Sequence, residues 1–143
     1  HRPELLILDE PASGIDPVLR RELLKEIAEV INDENRTVIL SSHITQDIEQ
    51  IADYIAILEN GSLVEYADKE SLLERWKKVC WSSAALPEGS FVSLETDGSR
   101  HIGVTNDYSP ALISSLKQHG ALDIRASNVN LDEILMCLSR KEN

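Results

Sequence analysis

Leu5, Leu6, Ile7 and Leu8 run without a break into Asp9, Glu10 and Pro11. No polar residue alternates with these four aliphatics, so the run does not read as a half-solvated strand. It suits a strand covered on both faces, as in a parallel sheet. Asp9 and Glu10 then stand at the carboxyl end of that strand, the edge where open α/β sheets bind their ligands. Two adjacent carboxylates repel each other unless a cation or a protonated partner lies near. A strand that simply surfaces in an acidic turn also fits this stretch taken alone.

The residues beyond Pro11 predict alternating elements. Gly14 breaks the strand, and Asp16 before Pro17 makes a helix start, an N-cap with proline at the first helical position. Leu19, Leu23, Ile27, Val30 and Ile31 fall on one face, which predicts an amphipathic helix over 17–34. Thr37 to Leu40 is a second β-branched and apolar strand, and it ends in Ser41, Ser42 and His43. A short helix with Ile48, Ile51 and Ala52 leads to a strand at Tyr54–Leu58. Asn60-Gly61 then turns the chain back antiparallel through 62–67. This order predicts parallel strands joined by right-handed crossovers, with an antiparallel hairpin at one edge. A further helix is expected over 68–78.

Beyond it the texture changes. Small and turn-forming residues, with Pro87 and Gly89, predict a junction. After it come two short strands joined by Asp97-Gly98-Ser99-Arg100, a helix with Leu112, Ile113 and Leu116 ending at Gly120, and a strand at 121–127. Asn130 with Glu133 three residues later forms a capping-box pattern, opening a helix with Leu131, Ile134, Leu135 and Leu138 as its apolar stripe. We therefore expect two parts: an α/β portion over 1–78 and a small α+β module over 79–143. A segment this small buries a core only marginally. Its stripe packs on the module's own sheet, on the first part, or on a second copy; self-association of 79–143 is one expectation.

Composition bounds the function. A net charge of −11 argues against nucleic acid as a main partner, because phosphate binding needs a basic surface. No apolar run approaches the roughly 18 residues of a membrane span. Cys80 and Cys137 are far apart and carry no metal-ligand spacing, so they read as free thiols. The chain starts at His1 and enters a strand within a few residues, which predicts a piece of a longer protein.

Two strands ending in Asp-Glu and in Ser-Ser-His set two carboxylates and an imidazole along one sheet edge. That set suits phosphoryl transfer from a magnesium nucleotide. The order and spacing resemble the second half of an ATP-binding-cassette (ABC) ATPase. Residues 5–10 look like its Walker B strand, Ser13 to Asp16 like its D-loop, and Ser41 to His43 like its switch-histidine loop. The resemblance covers residues 1 to about 75, and the tail from Asn128 to Leu138 looks more loosely like the closing helix of ATPases that drive ABC-2 exporters.

The resemblance implies the carboxy-terminal half of a P-loop NTPase sheet, with ATP and Mg²⁺ as cofactors. Asp9 matches the magnesium aspartate, acting usually through water. Glu10 matches the residue that orients and deprotonates the attacking water. His43 matches the histidine that contacts the terminal phosphate and helps to hold Glu10. Ser13 and Asp16 match the D-loop, which crosses to a partner subunit in an ATP-sandwiched dimer; Asp16 is also a good N-cap whatever else it does. Inert readings exist for the others as well, Glu10 as a surface acid and His43 as a strand-end residue. His1, His101 and His119 read as solvated or structural. Ala12 stands where the family usually has Thr, at a bend rather than at the chemistry.

No GxxxxGK[ST], glutamine loop or LSGGQ-like signature occurs in the sequence. Phosphate is gripped chiefly by P-loop backbone N–H groups and the P-loop lysine, so the chain alone is expected not to hydrolyse ATP. The resemblance implies an ATPase subunit energising an ABC exporter, paired with a second ATPase subunit and a transmembrane permease, cytoplasmic and peripheral on the membrane. A soluble ABC ATPase of translation or DNA repair is the alternative. A further one is that the tail regulates or dimerises the ATPase.

Overall fold

The computed structural model describes residues 3–33, 35–83 and 91–139. His1 and the junction residues Pro87 and Gly89 lie outside the described residues. The chain divides into two compact units, 1–52 and 53–143.

In the first unit, strand β1 (Leu5–Asp9) pairs in parallel with β2 (Thr37–Ser41), in the register Leu5 to Thr37 through Asp9 to Ser41. Helix α1 (Pro17–Ile31) connects them, and helix α2 (Thr45–Ile51) comes after β2. Asp16 caps α1 as expected, its Oδ1 accepting from the N–H groups of Val18 at 2.9 Å and Leu19 at 3.2 Å. The helix stops at Ile31, short of residue 34, because Asn32 takes the C-cap position. Its buried contacts come from Leu24 and Ile27, whereas Leu19 on the expected stripe is exposed.

The strands are parallel, but the expectation of cover on both faces is not met. Leu5, Ile7 and Ile39 are 49%, 66% and 54% exposed. Leu6, Leu8, Val38 and Leu40 on the opposite face are half-buried. A two-stranded ribbon with α1 beside it shields one face and leaves the other open.

The second unit opens with β3 (Tyr54–Glu59) and β4 (Ser62–Asp68), an antiparallel hairpin. Asn60 and Gly61 both have positive φ, 48° and 78°, the geometry whose twist matches a two-residue hairpin. The expected continuation of the parallel sheet of β1 and β2 into β3 is not found; β3 and β4 form a sheet of two. The hairpin carries a one-sided pattern, Ile55 and Ile57 buried and Tyr54 and Leu58 exposed, rather than the two-sided burial of an inner parallel strand.

Helix α3 (Lys69–Arg75) is shorter than expected, capped by Asp68, whose carboxylate accepts from the Ser71 N–H at 2.9 Å and is held below its usual range by that bond. Trp76 turns extended, and β5 (Lys77–Ser82) begins at once. The 78/79 boundary therefore falls inside a strand. Arg75 reaches back to Glu65 on β4 at 2.7 Å, and Leu72 and Trp76 are fully buried, which ties the hairpin and α3 into the second unit.

The main sheet has the order β6-β7-β5-β8, every neighbouring pair antiparallel, with β6 (Ser93–Asp97), β7 (Arg100–Thr105) and β8 (Leu122–Asn128). Val79 and Trp81 of β5 pack with Leu112 and Leu116 of α4 (Pro110–Gln118) and with Ala121, forming the core. Helix α5 (Leu131–Ser139) starts in the expected capping box. Asn130 Oδ1 accepts from the Glu133 N–H at 2.9 Å, and Glu133 Oε2 accepts from the Asn130 N–H at 3.2 Å. Its buried stripe is Leu131, Ile134 and Cys137, with Leu135 and Leu138 half-buried. Ile134 is wholly enclosed within this chain, and Cys137 Sγ lies 3.5 Å from Ser93 Oγ of β6, so this stripe faces the unit's own sheet.

Lys78 of β5 forms an ion pair with Glu133 of α5. The Lys78 ammonium, through its hydrogen bond, holds the Glu133 carboxyl below its usual range against the opposing effect of burial. A depressed carboxyl contributes stability above its unfolded pKa of about 4.3 and loses it as pH falls through the lower folded value. Both side chains are about one-third exposed, so solvent screening keeps the effect small. Urea unfolding between about pH 5 and 3 should lose stability more steeply in the wild type than in Glu133→Gln.

Candidate functional site

The parallel register places Asp9 and Ser41 side by side at the carboxyl ends of β1 and β2. The Ser41 hydroxyl donates to Asp9 Oδ1 at 2.5 Å and accepts from the Glu10 N–H at 2.9 Å. The Glu10 N–H also lies 3.2 Å from the Ser41 carbonyl. One hydroxyl thus fixes both the Asp9 carboxylate and the backbone of the next residue. Glu10 needs that support, because its φ of +46° lies in the left-handed region, which costs a side-chain-bearing residue roughly 1–2 kcal/mol. The left-handed turn brings Glu10 Oε2 to 2.7 Å from His43 Nδ1.

The imidazole and the carboxylate are 68% and 37% exposed, so the pair is open to solvent and to a ligand. The turn after Glu10 is closed by the Ser13 N–H on the Glu10 carbonyl at 3.0 Å.

Of the five residues expected at the site, Asp9, Glu10 and His43 come together. Ser13 enters through its backbone N–H, and Asp16 spends its carboxylate on the helix cap. Ser41 is the residue that sequence reasoning did not assign; its position directly across the parallel register from Asp9 was the available signal.

Among the described residues no group of three or more His, Cys, Asp or Glu is placed to hold a metal ion by itself. Magnesium does not need one, since it retains waters and binds through one or two carboxylates with phosphate oxygens. The Asp9 carboxylate fits that demand: Ser41 occupies one acceptor direction and orients the group while the rest stay open to a hard cation. His101 and His119 are structural as expected. His101 is buried between Thr96 Oγ1 and the Ser83 carbonyl, and His119 Nδ1 contacts the Ser115 carbonyl at 2.7 Å.

Comparison with known proteins supplies the lineage. No family model matches the chain. It is 34% identical over 102 residues, 71% of its length, to the bacitracin transport ATP-binding protein BcrA of Enterococcus faecalis, of which it spans 32%. To BcrA of Bacillus licheniformis it is 41% identical over 78 residues, covering 54% of the chain and 26% of the relative. Over these stretches the chain is a homologue of ATP-binding proteins of ABC transporters. A third relative, the energy-coupling factor transporter ATP-binding protein EcfA2 of Staphylococcus aureus, is 30% identical over 95 residues, covering 66% of the chain and 32% of that protein. The chain spans about a third or less of the length of these ABC relatives. Among the described residues no helix is long and apolar enough to cross a membrane.

Proposed function

We propose that this chain is the carboxy-terminal part of the ATPase subunit of an ABC transporter of the exporter class. The carrying observation is the Glu10–His43 contact of 2.7 Å beside the Asp9–Ser41 contact, at the carboxyl ends of two parallel strands. Mg-ATP, when bound, supplies the phosphoryl group and the cation that offsets its charge. Asp9 would hold that cation, usually through water. Glu10 accepts the proton of the attacking water. His43 holds one oxygen of Glu10 and so fixes the direction of the other, and it is exposed enough to meet a terminal phosphate.

The open face of β1 and β2 supports the same reading, since Leu5, Ile7 and Ile39 form an apolar surface of the kind that further sheet or helix covers in a complete α/β domain. The P-loop and signature elements would come from chain outside these residues, and without them the segment is inactive. The complete subunit pairs with a second ATPase subunit, so that Ser13 and Asp16 face the partner, and docks on a permease at the cytoplasmic side of the membrane. The names of the relatives, all of transport proteins, favour this over a soluble ATPase of translation or repair. A regulatory role for the residues beyond 79, which lie within the second compact unit of residues 53–143, belongs to the same proposal.

Asp9→Asn tests the assignment in the complete protein. Asn keeps an acceptor for Ser41 and removes the negative charge that faces the cation. ATP affinity measured with magnesium should fall at least about tenfold, while affinity measured in chelator stays near wild type. Equal loss in both conditions would mean that Asp9 supports the Ser41 turn and not the ion.

A further inference from the structure

We infer that Arg20 and Asp47 form a positioning pair that locks the His43 loop to the turn after Glu10. The inference rests on the ATPase reading of the site. Arg20 lies in the first turns of α1 and Asp47 in the first turn of α2. Arg20 Nε approaches Asp47 Oδ1 and Oδ2 at 3.0 and 2.9 Å, and a terminal guanidinium nitrogen reaches Oδ1 at 2.5 Å. The Asp47 side chain is 5% exposed and that of Arg20 26%. A planar fork on a buried carboxylate fixes direction as well as distance, which a point charge does not. The carboxylate holds the guanidinium more firmly protonated than usual, chiefly through the hydrogen bonds between them.

Position in the chain gives the pair its consequence. Helix α2 has no side-chain cap, because Ile44 occupies its N-cap and offers none. Its start is held instead by the Asp47 N–H on the Ile44 carbonyl at 3.1 Å and by Ser42 Oγ accepting from the Ile44 N–H at 3.0 Å. His43 is the residue immediately before Ile44. On the other side, the Arg20 N–H bonds to the Asp16 carbonyl at 2.9 Å, one turn from the cap, and the turn from Ser13 returns to Glu10. A closed circuit results: Glu10, Ser13, Asp16, Arg20, Asp47, Ile44, His43 and back to Glu10. Glu10 and His43 are too exposed to be fixed by packing. Within the circuit the part-buried ion pair is the rigid link that spans the two helices. Displacing reacting groups by about 1 Å can cost about 100-fold in rate, so a remote pair can govern turnover.

Arg20→Lys is the discriminating variant, since it keeps the charge beside Asp47 and loses the fork. In the complete protein kcat should fall about tenfold or more with KM for ATP within about twofold. The exchange of charges in Arg20→Asp/Asp47→Arg should recover part of the loss of either single change. ¹⁵N spectra of the histidine rings, assigned with His43→Ala, give a readout independent of turnover. The His43 signals should shift away from their carboxylate-bonded positions in Arg20→Lys, while those of buried His101 stay fixed as an internal control. A lowered melting temperature with unchanged kcat and an unmoved His43 would overturn the inference. If Glu10→Gln left turnover intact, the ATPase assignment would fail instead, and the His43 spectra would still decide whether the pair positions the loop.

Discussion

The complete protein carrying Glu10→Gln is expected to bind Mg-ATP nearly as the wild type does and to lose about 10²- to 10⁴-fold in steady-state hydrolysis, the usual contribution of a general base. Gln keeps the length of Glu10 and an oxygen that His43 can donate to at the observed separation of 2.7 Å. The charge that, in the proposed function, takes the proton from water is lost. Because chemistry stops while binding persists, the proposed pairing with a second ATPase subunit should also last longer, which gel filtration in Mg-ATP would show. Turnover above about a tenth of the wild-type rate would remove Glu10 from this role.

A His43→Ala protein provides the complementary reading. There Glu10 keeps its charge and loses its orienting partner, so the rate should fall without a comparable loss in binding.

These assignments were legible in the sequence to different degrees. Asp9, Glu10 and His43 could be placed on one sheet edge because each stands within three residues beyond a run of aliphatics, and hydrophobic runs are the strongest local signal for strands. Their meeting depended on the parallel register, which local pattern does not encode. Ser41 therefore passed as a strand-end residue, although it holds Asp9 across 32 positions of chain. Arg20 and Asp47 were invisible for the same reason, lying 27 residues apart on two helices.

The fold shows a parallel contrast. Asp16-Pro17, Asn60-Gly61 and the Asn130–Glu133 box gave correct turns and caps because their chemistry is local. β5 was missed. Two lysines before Val79, Cys80 and Trp81 offer only a short alternation, and the preceding helical pattern absorbed its start. The identity of β5 as a central strand comes from β7 and β8, both distant in sequence. The open faces of β1 and β2 likewise depend on which neighbours are present, not on the apolar run itself.

The second large effect is expected at Gly103 on β7. Its φ is unexceptional, so backbone freedom is not why glycine is needed there. Space is the reason: a Cβ at this position would lie 2.3 Å from Phe91 Cδ1, 2.6 Å from Cε1 and 2.8 Å from Cγ. A glycine inside a strand commonly marks such a close approach. Phe91 cannot yield by a small rotation, because Cγ, at the root of the ring, is among the atoms struck. Moving the ring also breaks its stack on Trp81, whose centroid lies 5.0 Å away at 20°, and disturbs the contact of Trp81 with His101 at 5.3 Å. Overpacking costs about 1–3 kcal/mol and a lost aromatic pair about 0.5–1.5. Gly103→Val should therefore destabilise the second unit by about 3 kcal/mol, more than 100-fold in its folding equilibrium. Both tryptophans, Trp76 and Trp81, belong to that unit, so urea titration monitored by tryptophan emission reads its unfolding directly. Phe91→Ala supplies the control. It removes the struck ring, so Gly103→Ala added to Phe91→Ala should cost less than Gly103→Ala alone, a negative coupling that general strand weakening would not produce. If Gly103→Ala stays within about 0.5 kcal/mol of wild type, or its cost simply adds to that of Phe91→Ala, the ring does not press on this strand.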